Sequence, residues 1–156
     1  MFAPLSLSIA VCICMAGCSG VRPTELGVKN GRLAPCPSSP NCVSSQSKDP
    51  EHAVEPLSYT KSALRAMTDL KKVILGMKRS KIVEERDSYL RAEFTSALWR
   101  FVDDVEFYFD EGTQVIHVRS ASRLGKSDFG VNRKRVEEIR TIWRTSGEKG
   151  VERDLD

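Results

Sequence analysis

The stretch Asp104-Val105-Glu106-Phe107-Tyr108-Phe109-Asp110-Glu111-Gly112-Thr113-Gln114-Val115-Ile116-His117-Val118-Arg119 decides the fold. Val105, Phe107 and Phe109 alternate with Glu106 and Tyr108. That period of two sends successive side chains to opposite faces of a strand. Asp110-Glu111-Gly112 is a tight-turn sequence, and beyond it Ile116 and Val118 alternate with Val115, His117 and Arg119. Strands joined by so short a link run antiparallel, because a parallel crossover needs about a dozen residues.

Working outward, Lys81–Arg86 and Tyr89–Leu98 read as two further strands joined at Asp87-Ser88. With Asp104–Phe109 and Thr113–Ser122 they predict a four-stranded antiparallel sheet. Leu90, Ala92, Phe94 and Ser96 share a face with the apolar set above. The opposite face carries Arg91, Glu93, Glu106, Tyr108, His117 and Arg119. The apolar face needs a cover, and two segments have the helical period to supply it. From Tyr59 to Met77, Ala63, Leu64, Met67, Leu70, Val73, Ile74 and Met77 recur at steps of three and four, with the methionines read as core. From Phe129 to Arg144, Val136, Ile139 and Trp143 form the stripe, with Ser127 or Asp128 as N-cap. The expected class is α+β, in the order α-β-β-β-β-α, with both helices on one face.

The ends of the chain speak of location. Met1 to Val21 contains no Asp, Glu, Lys or Arg, although 29% of the 156 residues are charged. The apolar run Leu5 to Cys14 is too short for a spanning helix of about 20 residues, and has the length of a signal-peptide core. Met15-Ala16-Gly17-Cys18 follows and resembles a lipobox, with Met15 where a Leu commonly stands. Small side chains precede the cut, and the Cys18 thiol takes the acyl chains. The expectation is a signal peptide over 1–17 and lipidation, palmitate included, on Cys18. An uncleaved anchor or an ordinary secretory signal are the alternatives; the n-region offers no Lys or Arg. Ser19 is not acidic, which in a lipoprotein of a diderm cell favours the outer membrane. The chain would then work on the extracytoplasmic side of the envelope, with the membrane as a partner through that lipid. A tether over 18–30, a domain over 31–146 and a flexible tail over 147–156 complete the division. The net charge of +3 is too modest to imply nucleic acid.

Between tether and helix lies Gly31-Arg32-Leu33-Ala34-Pro35-Cys36-Pro37-Ser38-Ser39-Pro40-Asn41-Cys42-Val43-Ser44-Ser45-Gln46. Its prolines exclude helix and central strand. An even pair of cysteines in an oxidising compartment most often forms a disulfide, here Cys36 with Cys42. The competing reading, a metal site completed by His52, lacks a second cysteine or histidine pair at zinc spacing. A redox role is disfavoured by the five residues between the thiols. No metal or other cofactor is expected.

The stretch from His117 to Arg135 leaves the last strand, crosses a loop rich in Ser, Gly and Arg, and enters a helix. A helix N-terminus favours anions, and arginines add bidentate donors for carboxylate or phosphate. The ligand-binding candidates are therefore His117, Arg119, Ser120, Ser122, Arg123, Ser127, Asp128, Asn132 and Arg133. The same composition also fits arginines locked internally to Glu93, Asp103, Asp104 and Glu106. The glycines match no P-loop, and no Gly-x-Ser-x-Gly elbow occurs. No catalytic residue is assigned. The enzymatic alternative is a hydrolase or transferase using His117 with a nearby Ser and Asp128.

Three blocks carry a family resemblance. They are Leu33 to Gln46 followed by Val54-Glu55-Pro56-Leu57, Arg100-Phe101-Val102-Asp103-Asp104-Val105-Glu106-Phe107, and Ile116 to Arg123 with Gly125, Ser127, Asp128, Gly130, Asn132 and Arg133. Together they resemble the DUF1499 family over about Leu33 to Ile142. The resemblance implies an exported or membrane-associated single domain and assigns no activity. The functional expectation is a lipid-anchored envelope module, non-enzymatic, binding a small anionic or lipid-derived ligand or an envelope partner.

Overall fold

The computed structural model describes residues 20–153. The leader 1–17 and Cys18 lie outside the described residues. In chain order the elements are β1 (Cys42–Ser44), β2 (Leu57–Ser58), α1 (Ala63–Gly76), β3 (Ser80–Arg86), β4 (Tyr89–Thr95), β5 (Val102–Asp110), β6 (Val115–Ser122) and α2 (Val131–Arg153). Among the described residues, no helix is long and apolar enough to cross a membrane.

The α+β class holds, with an antiparallel sheet of six strands where the alternation gives four. Strands β3 to β6 form the expected meander, and β1 and β2 both pair with the outer edge of β6. Leu57 and Ser58 lie opposite Ile116 and Val115, while Cys42 to Ser44 lie opposite Ala121 to Arg119. Both strands are too short to show a period. Each begins just past a proline (Pro40, Pro56), a residue tolerated at an edge because it lacks a donor.

Alternation predicts the faces correctly. Leu90, Ala92, Phe94, Val105, Phe107, Phe109, Ile116 and Val118 pack on Met67, Leu70, Val73 and Ile74 of α1 and Val136 and Ile139 of α2. Ser62 caps α1, its hydroxyl accepting the Arg65 N–H. Asp128 caps α2: one carboxylate oxygen accepts the Asn132 N–H at 2.7 Å and the other the Gly130 N–H at 2.9 Å. Asp110 closes the β5–β6 turn by accepting from Gly112 and Thr113. Helix α2 continues past Arg144 to Arg153, into the stretch expected to be a tail. The Cys36–Cys42 disulfide is formed, and a loop this short restricts the unfolded chain by about 2–3 kcal/mol.

The polar face of the sheet is covered too. The segment read as a tether over 18–30, from Gly20 on and with the residues up to Leu33, lies across it as a strap. Arg22 meets Glu93 at 2.6 Å, and the Gly27 N–H donates to Glu106 at 2.8 Å. Lys29 and Arg32 close a turn on each other's backbone, and Leu33 is buried, its N–H held by the Gln46 side chain. The domain thus has three layers: strap, sheet and helices.

Candidate functional site

Strand register builds a row of alternating charge beneath the strap. Glu84 pairs with Arg91, Arg91 with Glu106, Glu106 with Arg119, and Arg119 with Ser44, across five strands. Glu106 is fully buried. It accepts from Arg119 at 3.0 Å, from the Tyr89 hydroxyl at 2.9 Å and from Gly27. Burial and then the Glu106 charge push the Tyr89 phenol well above its ordinary value, so it stays a donor. One row along, Arg123 binds both oxygens of Asp104, at 2.7 and 2.9 Å, and Glu93 at 2.6 Å. Burial would raise the Glu93 carboxyl, but the hydrogen bonds from Arg123 and Arg22 outweigh it and hold it low. Three buried donors in this layer lack a hydrogen-bond partner among the described residues: Nε and Nη1 of Arg91, the latter 3.6 Å from Asp104, and Nε of Arg119.

The helix side of the sheet holds a second cluster, centred on Asn132. Its Oδ1 accepts from Ser120 at 2.5 Å and from Arg135 at 2.7 Å. Its Nδ2 donates to the Asn41 carbonyl, the Ser122 hydroxyl and Asp128. Arg135 also pairs with Asp103 and lies over the Phe94 ring. Arg133 donates to the carbonyls of Ala53 and Glu51, tying α2 to the segment before β2. Ser127 is exposed, its hydroxyl accepting the Phe129 N–H at 3.4 Å.

The sheet therefore divides the sequence candidates. His117, Arg119 and Arg123 lie on the strap side; Ser120, Ser122, Asp128, Asn132 and Arg133 lie on the helix side. Alternation along β6 requires this split, since odd and even positions point apart. Within hydrogen-bond reach of His117 stands Ser45, with its Oγ 3.2 Å from Nδ1. Asp110 is nearest among the carboxylates, its Oδ2 4.0 Å from Nε2, and the Tyr108 ring stacks on the imidazole at 6.0 Å. Ser45 has a backbone task as well: it binds Val118 from both sides, with its N–H to the carbonyl and its Oγ to the N–H. No local pattern announces these contacts, because 72 residues separate Ser45 from His117.

Burial lowers the His117 pKa; Asp110 opposes that shift and Arg32 adds to it. The folded chain then resists a proton that the unfolded chain accepts near pH 6.5. Stability from this group is complete above about 6.5, falls as the pH drops below it, and levels off once folded His117 is protonated. Urea denaturation from about pH 7.5 to 5 should show that decline, and His117→Gln should flatten it. Parallel curves for the two proteins would assign the decline to other groups.

A cleft of about 890 Å³ opens between the strap and the cysteine loop. Leu33, Ala34, Pro35 and Pro37 wall it, and Lys29, Arg32 and Lys48 stand among the residues at its edge with Glu25 and Asp49. Its lining includes Gly27, Ser44 and His52, all buried. The first donates to Glu106, the second pairs across from Arg119, and His52 donates from Nδ1 to the Cys42 carbonyl at 2.8 Å. The cleft thus adjoins the charged row. None of its lining residues stood among the ligand-binding candidates, although Cys36 and His52 belong to the competing metal-site reading, because strap and loop look irregular when read locally.

These features define a small α+β domain with its polar sheet face roofed by its own N-terminal segment. The chain matches DUF1499, described as a protein of unknown function, over residues 32–142, and it belongs to that family. No match was found among curated proteins or among solved structures.

Proposed function

We propose that the protein is a lipid-anchored, non-enzymatic module of the cell envelope that binds a small ligand bearing an anionic group. The cleft between strap and cysteine loop carries this reading. Its volume of about 890 Å³ falls in the range of small-molecule sites, and its walls are largely apolar with a few polar groups at the floor. Three cations stand at its edge against two carboxylates, and the neighbouring Arg119 keeps an unpartnered Nε. The arginines first singled out, Arg119, Arg123 and Arg133, act here chiefly as internal ties. The charge-free leader and the small residues before Cys18 support the anchor.

Native mass spectrometry and thermal shift against glycerol phosphate, inorganic phosphate and fatty acids test the ligand. A Lys29→Glu, Lys48→Glu double variant should fold unchanged and bind at least about tenfold more weakly, since both side chains are exposed and bond at most to Glu25. Equal binding by variant and parent would remove the cleft from consideration. Cys18→Ser should abolish incorporation of a palmitate analogue; labelling that survives would remove the anchor.

A hydrolase or transferase is the second reading, favoured by the Ser45–His117 contact. Asp128 plays no part in it, being across the sheet, and Asp110 would have to orient the histidine from 4.0 Å. Ser45→Ala should leave any esterase activity unchanged on the binding-module reading.

A further inference from the structure

One end of the sheet gathers exposed apolar side chains that the core does not use. The β4–β5 connection presents Leu98 at 77%, Trp99 at 68% and Phe101 at 42% exposure, and the β6–α2 loop presents Leu124 and Phe129. The register brings the two loops to the same end, since Thr95 pairs with Val102 and Asp103 with Ser122, and the Arg123 N–H donates to the Val102 carbonyl. Such a concentration of large apolar groups on one side of a small domain marks an interaction surface. Cations are interspersed among them: Arg100 and Lys126 in the same loops, and Lys78 and Arg79 where α1 meets β3, all exposed. Asp128 is the one acidic residue in residues 77–79, 96–101 and 124–130, and it is engaged in capping α2.

The strap begins at this same end. Gly20 lies so close to Arg123 and Leu124 that a Cβ there would stand 2.8 Å from Arg123 Cβ and 3.0 Å from Leu124 Cγ. Cys18 is two residues before it in the chain. We infer that this end is a membrane-docking surface: Leu98, Trp99, Phe101, Leu124 and Phe129 enter the interfacial layer of an anionic bilayer while Arg100 and Lys126 meet its headgroups. Trp, Phe and Leu beside Lys and Arg is the composition that lies in such an interface. The orientation rests on the proposed acylation of Cys18, which would deliver its chains beside these loops, whereas the surface chemistry does not. Docked this way, the domain stands with its strands pointing away from the bilayer and with Trp143, bonded to the Ser58 carbonyl near the opposite end of the sheet, held clear of it.

The two tryptophans supply the test. Full-length chain carrying its acyl groups is mixed with phosphatidylcholine–phosphatidylglycerol vesicles containing brominated acyl chains. Trp99 emission should shift to the blue and be quenched; a Trp99→Phe variant, reporting Trp143 alone, should show neither. The Cys18→Ser chain is then titrated with the same vesicles without bromine. It should bind measurably, more weakly as salt is raised, and at least about tenfold more weakly still when Trp99→Ser and Phe101→Ser are added. Those two side chains are exposed, so the variants keep the fold. An acylated chain on vesicles whose Trp99 stays unquenched overturns the docking surface and leaves the anchor standing. A chain that carries no acyl group on Cys18 but still inserts Trp99 removes the anchor and leaves the docking surface standing.

Discussion

Replacing Glu106 by alanine should destabilise the protein by about 3–5 kcal/mol, the usual cost of leaving a buried ion without its partner. Glu106 is wholly enclosed between the strap and the sheet. Without it Arg119 keeps its charge in a buried layer, while the Gly27 N–H and the Tyr89 hydroxyl lose their acceptor. The variant should also loosen the roof, so amide exchange at Gly27 should rise by more than the global stability change explains. Glu106→Gln keeps an acceptor and removes the negative charge, and should fall between the two. A loss under about 1 kcal/mol for the alanine variant, by urea denaturation, would mean that the charged row contributes little to holding strap and sheet together.

Asn132→Ala should be nearly as costly, about 3 kcal/mol, because one amide serves five partners. Ser120, Arg135, the Asn41 carbonyl, Ser122 and Asp128 all bond to it, and the residue is 1% exposed. Each buried partner left unsatisfied costs about 1–3 kcal/mol, offset where Arg135 turns fully to Asp103. Ser122→Ala removes one of those bonds and should cost no more than about 1 kcal/mol, with Asn132 keeping its others. If the two variants are equally stable, Asn132 is not the hub of α2 docking. The helix would then rest on Val136 and Ile139 and on the bonds of Arg133, Arg140 and Trp143 to the segment before and in β2.

What the chain displays to a reader of its sequence depends on how far apart the partners lie. Strands β4 to β6 and both helices announce themselves by periodic patterns, and β3 by its place one tight turn before β4. Strands β1 and β2 do not, with three and two residues, and they exist because β6 offers an unfilled edge. The Asp128 cap was visible because its contacts are local. Asn132 and Arg123 were visible as polar residues in an unusual loop, but not as members of opposite layers. The largest difference concerns the strap: residues 20–33 have no period, and only the charged sheet face beneath, through Glu93 and Glu106, gives Arg22 and Gly27 a place. The cleft inherits that difficulty, for it is bounded by two segments without regular structure.

The outer edge of β6 is filled without a gap. β2 takes Val115 and Ile116, β1 takes Arg119 to Ala121, and between them Ser45 meets both backbone groups of Val118. At the far side of the sheet, β3 carries Lys81, Glu84, Glu85 and Arg86 and an irregular register between Ile82 and Glu84. Unpaired strand edges recruit other chains, and charges and bulges discourage it. Molecules confined to a surface meet one another far more often than molecules free in a volume. On the proposed membrane anchor, such encounters meet one filled edge and one edge broken by charges and a bulge, which disfavours stitching the domains into a ribbon.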